Sequence, residues 1–540
     1  MSDQEARRFV IDHFWVAFAA FALACVLGVY QVLERSGIIP AIQSPAVYFA
    51  SVSTHGVLMA YVLTTFFIMG FGYYVATTSL KMPIWNKPLA KTGYWIALGG
   101  TVMAAIPLLL GKASVLYTFY PPVQANVLFY LGATLLVVGS WFWAGIMLVM
   151  LHQWKVAHPG ETVPLPMYAN AANAILWLWT SVGVALEMLF QLLPWALGLM
   201  DTIDVGLART LFAWTLHPIV YFWLIPAYIA FYVFVPAAAG GKLFSDELAR
   251  VSFIMIMVFG LPIGFHHLYV DPEQAAGWKL AHGIGTFAVA IPTLLTGFTV
   301  IASLEVAGRK RGGHGLFGWI GALPWRNPMV LAAILSLLML MLGGFGGMIN
   351  ASYAMNTMVH NTAWVPGHFH LIFAGTVITM YFAIAYYLWP KLTGKQLCSA
   401  SLPTLQLWSW FIGMAILTTP WHVLGLLGQP RRISDVTYNT LLTLAWDPYE
   451  LAMILGGCVL LASALLFVYI LFQTQTKGAE EPDRAVAYAE PLHPVVKLPA
   501  MLNGFGLWNR VILVLMIVSF AVPIGQFFFM DSFSPSAWGY

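Results

Sequence analysis

The chain has 540 residues, of which 60% are hydrophobic and 8% charged, with a formal net charge of +3. Soluble domains of average composition are about 25% charged, so a soluble fold is excluded and a polytopic membrane protein is indicated. The Lys and Arg residues are scattered between apolar stretches, which excludes a nucleic-acid-binding face.

A helix needs roughly 20 apolar residues to cross a bilayer. Thirteen such spans are predicted, near 14–34, 46–76, 92–111, 125–151, 167–199, 209–237, 250–268, 279–304, 328–350, 366–389, 404–427, 448–474 and 507–530. The charged start, Met1 to Arg8, does not read as a cleaved signal peptide. The stretch 475–506 reads as a loop, and residues 1–540 form one helical transmembrane domain. With the N-terminus inside, seventeen Lys and Arg residues fall in inner segments and six in outer ones, with Arg510 at a span edge. That bias predicts an all-α bundle with its N-terminus inside and its C-terminus outside.

The three cysteines, Cys25, Cys398 and Cys458, form no Cys-x-x-Cys pair. A thiolate zinc site, an iron–sulfur cluster and a disulfide framework are thereby excluded. Any metal must use nitrogen or oxygen ligands, and histidine is the main candidate.

In chain order, the second span carries His55, and the fifth carries Glu187, the one carboxylate deep within a span. An intramembrane acid is a functional hypothesis by default, although a buried glutamate can be merely structural. The sixth span contains His217-Pro-Ile-Val-Tyr221. Residues four apart share a helix face, so imidazole and phenol lie side by side. The seventh ends in Gly264-Phe-His266-His267. Three neutral imidazoles without thiolate suit copper or zinc. The tenth carries Trp364-Val-Pro-Gly-His368-Phe-His370-Leu371. At about 100° per residue, His368 and His370 point about 200° apart and cannot share one ligand. His370 with His55 can sandwich a low-spin haem. A haem held by His368 alone keeps an axial position open for dioxygen. One lone membrane histidine is more often a helix contact than a ligand; the six together carry the signal. His282 and His422 are read as packing or hydrogen-bonding residues, and His13 as a helix-end residue.

These three runs resemble those of subunit I of the haem–copper oxidases. With Pro226-Ala-Tyr228, Ala239-Gly-Gly241 and Leu316-Phe-Gly-Trp319, they are most similar to the B-family, ba-type cytochrome c oxidases. The resemblance implies a terminal respiratory oxidase that reduces dioxygen to water and translocates protons, multi-pass in a bacterial inner membrane. It implies His55 and His370 on a low-spin, b-type haem, His368 on a high-spin, a-type haem, and His217, His266 and His267 on the copper called CuB. Tyr221 matches the tyrosine that the family cross-links to its neighbouring histidine. That phenol supplies an electron and a proton for cleavage of the O–O bond. Tyr232, Thr293, Thr296 and Thr299 match the K-type proton path. Arg431, Arg432, Tyr117 and His360 match residues on the haem propionate side. Asn356 stands where the compared oxidase has an acid, and Ile219 where A-family oxidases have a glutamate. The implied partners are a subunit II carrying CuA, a small single-helix subunit, cytochrome c and membrane lipid. Three alternatives remain: a B-family quinol oxidase, a nitric oxide reductase and, from another class, a proton-coupled transporter with no bound metal. Tyr221 and the lack of acids near the metal pocket argue against the reductase.

Overall fold

The structure is a computed structural model, and it describes residues 3–37, 45–436, 438, 440–495 and 497–529. Among the described residues there are helices, loops and three isolated backbone bridges, but no β-strand. The long helices are α1 (Asp3–Ser36), α2 (Pro45–Leu80), α3 (Lys87–Leu109), α4 (Val127–Ala157), α5 (Leu165–Ala196), α6 (Val205–Ala238) and α7 (Asp246–Leu268). They continue as α8 (Ala276–Lys310), α9 (Pro328–Ala351), α10 (Trp364–Thr393), α11 (Leu402–Leu426), α12 (Asp447–Lys477) and α13 (Gly506–Phe529).

Twelve of these are long and apolar enough to cross a membrane. The exception is α11, which coincides with the predicted span 404–427. It is a 25-residue helix, but Gln406, Trp408, Trp410, Trp421 and His422 lower its hydropathy. Its place between α10 and α12 suits that composition: the Gln406 side chain donates to Ser463 on α12 at 3.1 Å and the Trp410 indole to the Ala374 carbonyl on α10 at 2.9 Å.

Several helix starts are capped by a side chain that accepts an otherwise unpaired amide. Asn126, Asp204, Ser245 and Asn327 cap α4, α6, α7 and α9. Helices α3 and α4 touch through Gly93, Gly100, Gly132 and Gly139; a Cβ on Gly132 would stand 2.5 Å from the Gly100 carbonyl oxygen. Small residues at such seams let the backbones close up. Helix α1 packs on α2 and α12, and α9, α10, α11 and α12 pack in sequence. The most enclosed helices are α2, α6 and α10, which carry four of the six singled-out histidines, His55, His217, His368 and His370. The predicted loop 475–506 folds back onto the bundle. There the Ala489 amide donates to the Val233 carbonyl at 2.8 Å, and the hydroxyls of Tyr488 and Thr78 lie 2.7 Å apart.

Candidate metal centre and its surroundings

Helix α10 places its two histidines on opposite sides. His370 faces His55 of α2, with ring centres 6.2 Å apart and planes inclined by 24°. Each ring is oriented through Nδ1, His55 toward the Ala24 carbonyl and His370 toward the Pro366 carbonyl, both at 2.7 Å. Nδ1 donates to the carbonyl, which leaves Nε2 unprotonated and available as a ligand. His368 lies against α9, where a Cβ on Gly346 would approach its Nδ1 to 2.9 Å. Immediately after His370 the helix widens into a π-turn over Leu371–Ile378, a feature frequent at functional sites.

His217, His266 and His267 converge although they come from two helices. His217 sits at a break in α6, because Pro218 interrupts the helix there. His266 and His267 occupy a 3₁₀ turn, Phe265–Leu268, beyond the last regular turn of α7. One ring nitrogen from each of the three lies within 4.8 Å of the others. The His217–His266 ring centres are 4.5 Å apart. His266 is buried, His217 partly exposed and His267 exposed. The Tyr221 hydroxyl is 2.7 Å from His217 Nε2. Gly260 makes room for that phenol, since a Cβ there would stand 2.8 Å from the Tyr221 ring.

The chain matches the family model described as Cytochrome C and Quinol oxidase polypeptide I over residues 8–459. The chain belongs to this haem–copper oxidase family. It is 40% identical to cytochrome c oxidase subunit 1 of Thermus thermophilus over 534 residues, covering 95% of the chain and 93% of that protein. It is 25% identical to cytochrome c oxidase subunit 1 of Thermostichus vulcanus, over 87% of the chain and 83% of that protein. A solved haem–copper terminal oxidase, itself described as a dimer, superimposes with a TM-score of 0.91 at 36% identity, covering 97% of this chain and 93% of that one. This oxidase subunit is therefore the catalytic subunit of a terminal oxidase. It is a multi-pass membrane enzyme that works in a complex with other subunits. Its family implies haems and the copper CuB.

The residues present fit those groups. Two imidazoles with centres 6.2 Å apart have room for a metal about 2 Å from one nitrogen of each, the usual metal–imidazole length. The indole nitrogens of Trp421 and Trp364 are buried without a hydrogen-bond partner. Trp421 lies 4.6 Å from the His370 ring. Unpaired buried donors are rare and suit a polar periphery placed beside them. The triad contains only imidazoles, a donor set that suits copper.

Three loops converge at the expected outer end. Arg431 grips the Asn361 side chain through Nε and Nη2, at 3.1 and 2.8 Å. Arg432 lies over the Tyr120 ring at 4.4 Å. The backbone carbonyl of Tyr117 accepts from Tyr61 at 3.0 Å, and the Tyr117 ring stacks on Phe369 at 6.2 Å. His360 Nδ1 is 2.9 Å from Asn356 Oδ1, and the Asn356 amide donates to the Asn350 carbonyl at 2.7 Å. Burial and then the charge of Arg432 hold Arg431 down to about 9. Burial, followed by Arg431, Arg209 and Arg432, holds His360 down to about 4. Burial raises the Tyr117 phenol. This end has an excess of positive charge that an anionic group would offset. Leu116, Phe119, Asn361 and Arg432 take positive φ, between 56° and 60°, and such strain gathers at ligand sites.

The predicted proton-path residues fall on one seam between α6 and α8. Tyr232 and Thr296 are 2.7 Å apart through their hydroxyls. Thr293 accepts from Tyr228 at 3.5 Å. Thr299 is buried on the same face, but its hydroxyl donates to its own helix, to the Leu295 carbonyl at 2.8 Å. Tyr228 figured in the sequence only within the run Pro226-Ala-Tyr228 and not on the proton path, yet it stands seven residues after Tyr221 and four before Tyr232, on one helix face. Glu187 stands apart: it is buried on α5 and neither carboxyl oxygen has a hydrogen-bond partner. His13 also departs from its reading as a helix-end residue. It is buried among Phe9, Phe66, Tyr73 and Tyr94.

Proposed function

We propose that this subunit reduces dioxygen to water with electrons from cytochrome c, delivered through CuA in a subunit II, and couples this to proton translocation across a bacterial inner membrane. The observation that supports it most is the pairing on α10. His370 faces His55 on one side of the helix. On the other side His368 accompanies the triad whose nitrogens lie within 4.8 Å of one another. In this reading His55 and His370 hold a b-type low-spin haem, His368 an a-type high-spin haem, and His217, His266 and His267 hold CuB.

When bound, the haems and copper supply the electrons and the place where dioxygen is reduced. The chain's own residues supply position and protons. Tyr221 holds a proton on an oxygen 2.7 Å from His217 Nε2 and is the donor nearest the triad. Tyr228, Thr293, Tyr232 and Thr296 bring the next proton along the α6–α8 seam. Tyr228 lies about 10 Å from Tyr221 along the helix axis and Tyr232 a further 6 Å or so. Ordered water is needed to bridge the longer gap. Arg431, Arg432, Tyr117 and His360 meet the haem propionates at the outer loops, where a guanidinium pairs well with a carboxylate. The Lys and Arg bias supports the inside N-terminus.

Purification of the intact complex tests this. Two haems and one copper beyond those of the second subunit, with oxygen uptake supported by reduced cytochrome c, are the expected results. Oxidation of quinol in place of cytochrome c would move the reading to a quinol oxidase. Haem without copper would point to a nitric oxide reductase, and the lack of any haem band would leave a transporter.

A further inference from the structure

The turn that carries His266 and His267 begins where Pro262 stops α7. The amides of Gly264 and Phe265 then have no acceptor in their own helix. Both donate to one atom of another helix, Nδ1 of His282 on α8, at 3.0 and 3.3 Å. A ring nitrogen that accepts two amides is unprotonated, so the proton sits on Nε2, which donates to the Ser519 carbonyl of α13 at 3.2 Å. The His282 ring also stacks on Phe265, with centres 4.0 Å apart and planes at 4°. Gly264 is required beneath this contact, because a Cβ there would meet the Ala213 carbonyl oxygen of α6 at 2.2 Å.

One turn further along α8, the Thr286 hydroxyl donates to the His282 carbonyl at 2.6 Å. Its single hydrogen is thereby used, so its 2.9 Å contact with His266 Nδ1 is one in which the imidazole donates. His266 is left with Nε2 free as a ligand.

We propose that His282 and Thr286 are positioning residues of the copper site: His282 sets the turn through two amides, and Thr286 sets the tautomer and ring plane of His266. This rests on the reading of His217, His266 and His267 as the copper ligands. The arrangement also ties the site to α13, the helix that receives the His282 Nε2 hydrogen bond.

The test uses the intact complex, with copper and haem measured per molecule during graded exposure to a copper chelator. His282→Phe keeps a flat ring on Phe265 but removes the acceptor. Copper affinity is expected to fall on the order of tenfold or more, as when other partners of metal ligands are lost, with both haems retained. His282→Asn offers an oxygen near the place of Nδ1 and is expected to recover most of the copper. Thr286→Val is expected to weaken copper in the same direction and to shift the infrared stretch of carbon monoxide on copper, while Thr286→Ser restores both. Copper held by His282→Phe and Thr286→Val as tightly as by the parent would overturn the proposal. Equal loss from His282→Phe and His282→Asn would do the same, because it would mark a packing role. Should His282→Phe fail to assemble, the Thr286→Val and Thr286→Ser pair decides, since Val removes only the hydroxyl and its two hydrogen bonds while Ser keeps both. A parent complex without the copper would instead remove the proposed function itself.

Discussion

The two sides of α10 are built by different means. On the His370 side both ring orientations come from backbone carbonyls, Pro366 for His370 and Ala24 for His55, each at 2.7 Å. On the triad side the three imidazoles sit on interrupted backbone, at the Pro218 break and in the turn after Pro262, and the bonds that shape the turn and orient His266 come from side chains on α8. A carbonyl cannot be mutated away, whereas an imidazole or a hydroxyl can. The His55–His370 pocket, proposed for the low-spin haem, is therefore expected to tolerate substitution around those two histidines, and the proposed copper pocket to be sensitive to residues that would never touch the metal.

Removing the proposed ligands themselves is expected to give the largest effects and to expose the difference most directly. His370→Ala should abolish the low-spin haem bands and turnover while the copper stays, because no bond to the triad runs through His370. His266→Ala should abolish turnover and lose copper while the low-spin bands persist. Haem and copper analysis of each purified variant checks this, and loss of both groups from either one would show that the two sides fold as one unit. A smaller effect is expected along the proton seam. Thr296→Val removes the partner of Tyr232 at 2.7 Å. Because water can take over part of the relay, turnover should fall on the order of tenfold, less than the ~10²-fold or more typical of losing a general acid. Rapid-mixing measurement of proton uptake beside oxygen uptake separates a slowed proton step from a damaged metal site, whose optical bands would shift.

The same contrast explains what the sequence revealed. The six histidines were legible because an imidazole at bilayer depth costs free energy unless it binds something, and the two-residue spacing of His368 and His370 sorts them onto opposite faces. The bundle was legible from apolar length, and even α11, too polar to stand out, coincided with its predicted span. What escaped was anything that depends on a broken helix. Pro218 and Pro262 announce interruptions, but nothing local says that His282, eighteen residues past Gly264, fills the vacated hydrogen bonds. The π-turns at Leu58–Leu63 and Leu371–Ile378, just after His55 and His370, likewise leave no signature in apolar periodicity. His13 reads as a helix-end residue from its position near the start of the chain, whereas α2 and α3 wrap it in aromatic rings.

Glu187 gives the smallest expected effect and the sharpest check on where protons travel. Its depth in α5 made it a functional candidate, yet its oxygens contact no donor, and the Tyr228–Thr293 and Tyr232–Thr296 contacts run on other helices, α6 and α8. It stands just before the π-turn Met188–Leu192, a position that suits a local structural role. Glu187→Gln keeps the volume and removes the titrating group, so oxygen uptake by the variant should remain close to that of the parent. A fall to a few per cent of parental turnover, with haem and copper intact, would mean that a second proton route enters through α5 and that the α6–α8 seam does not act alone.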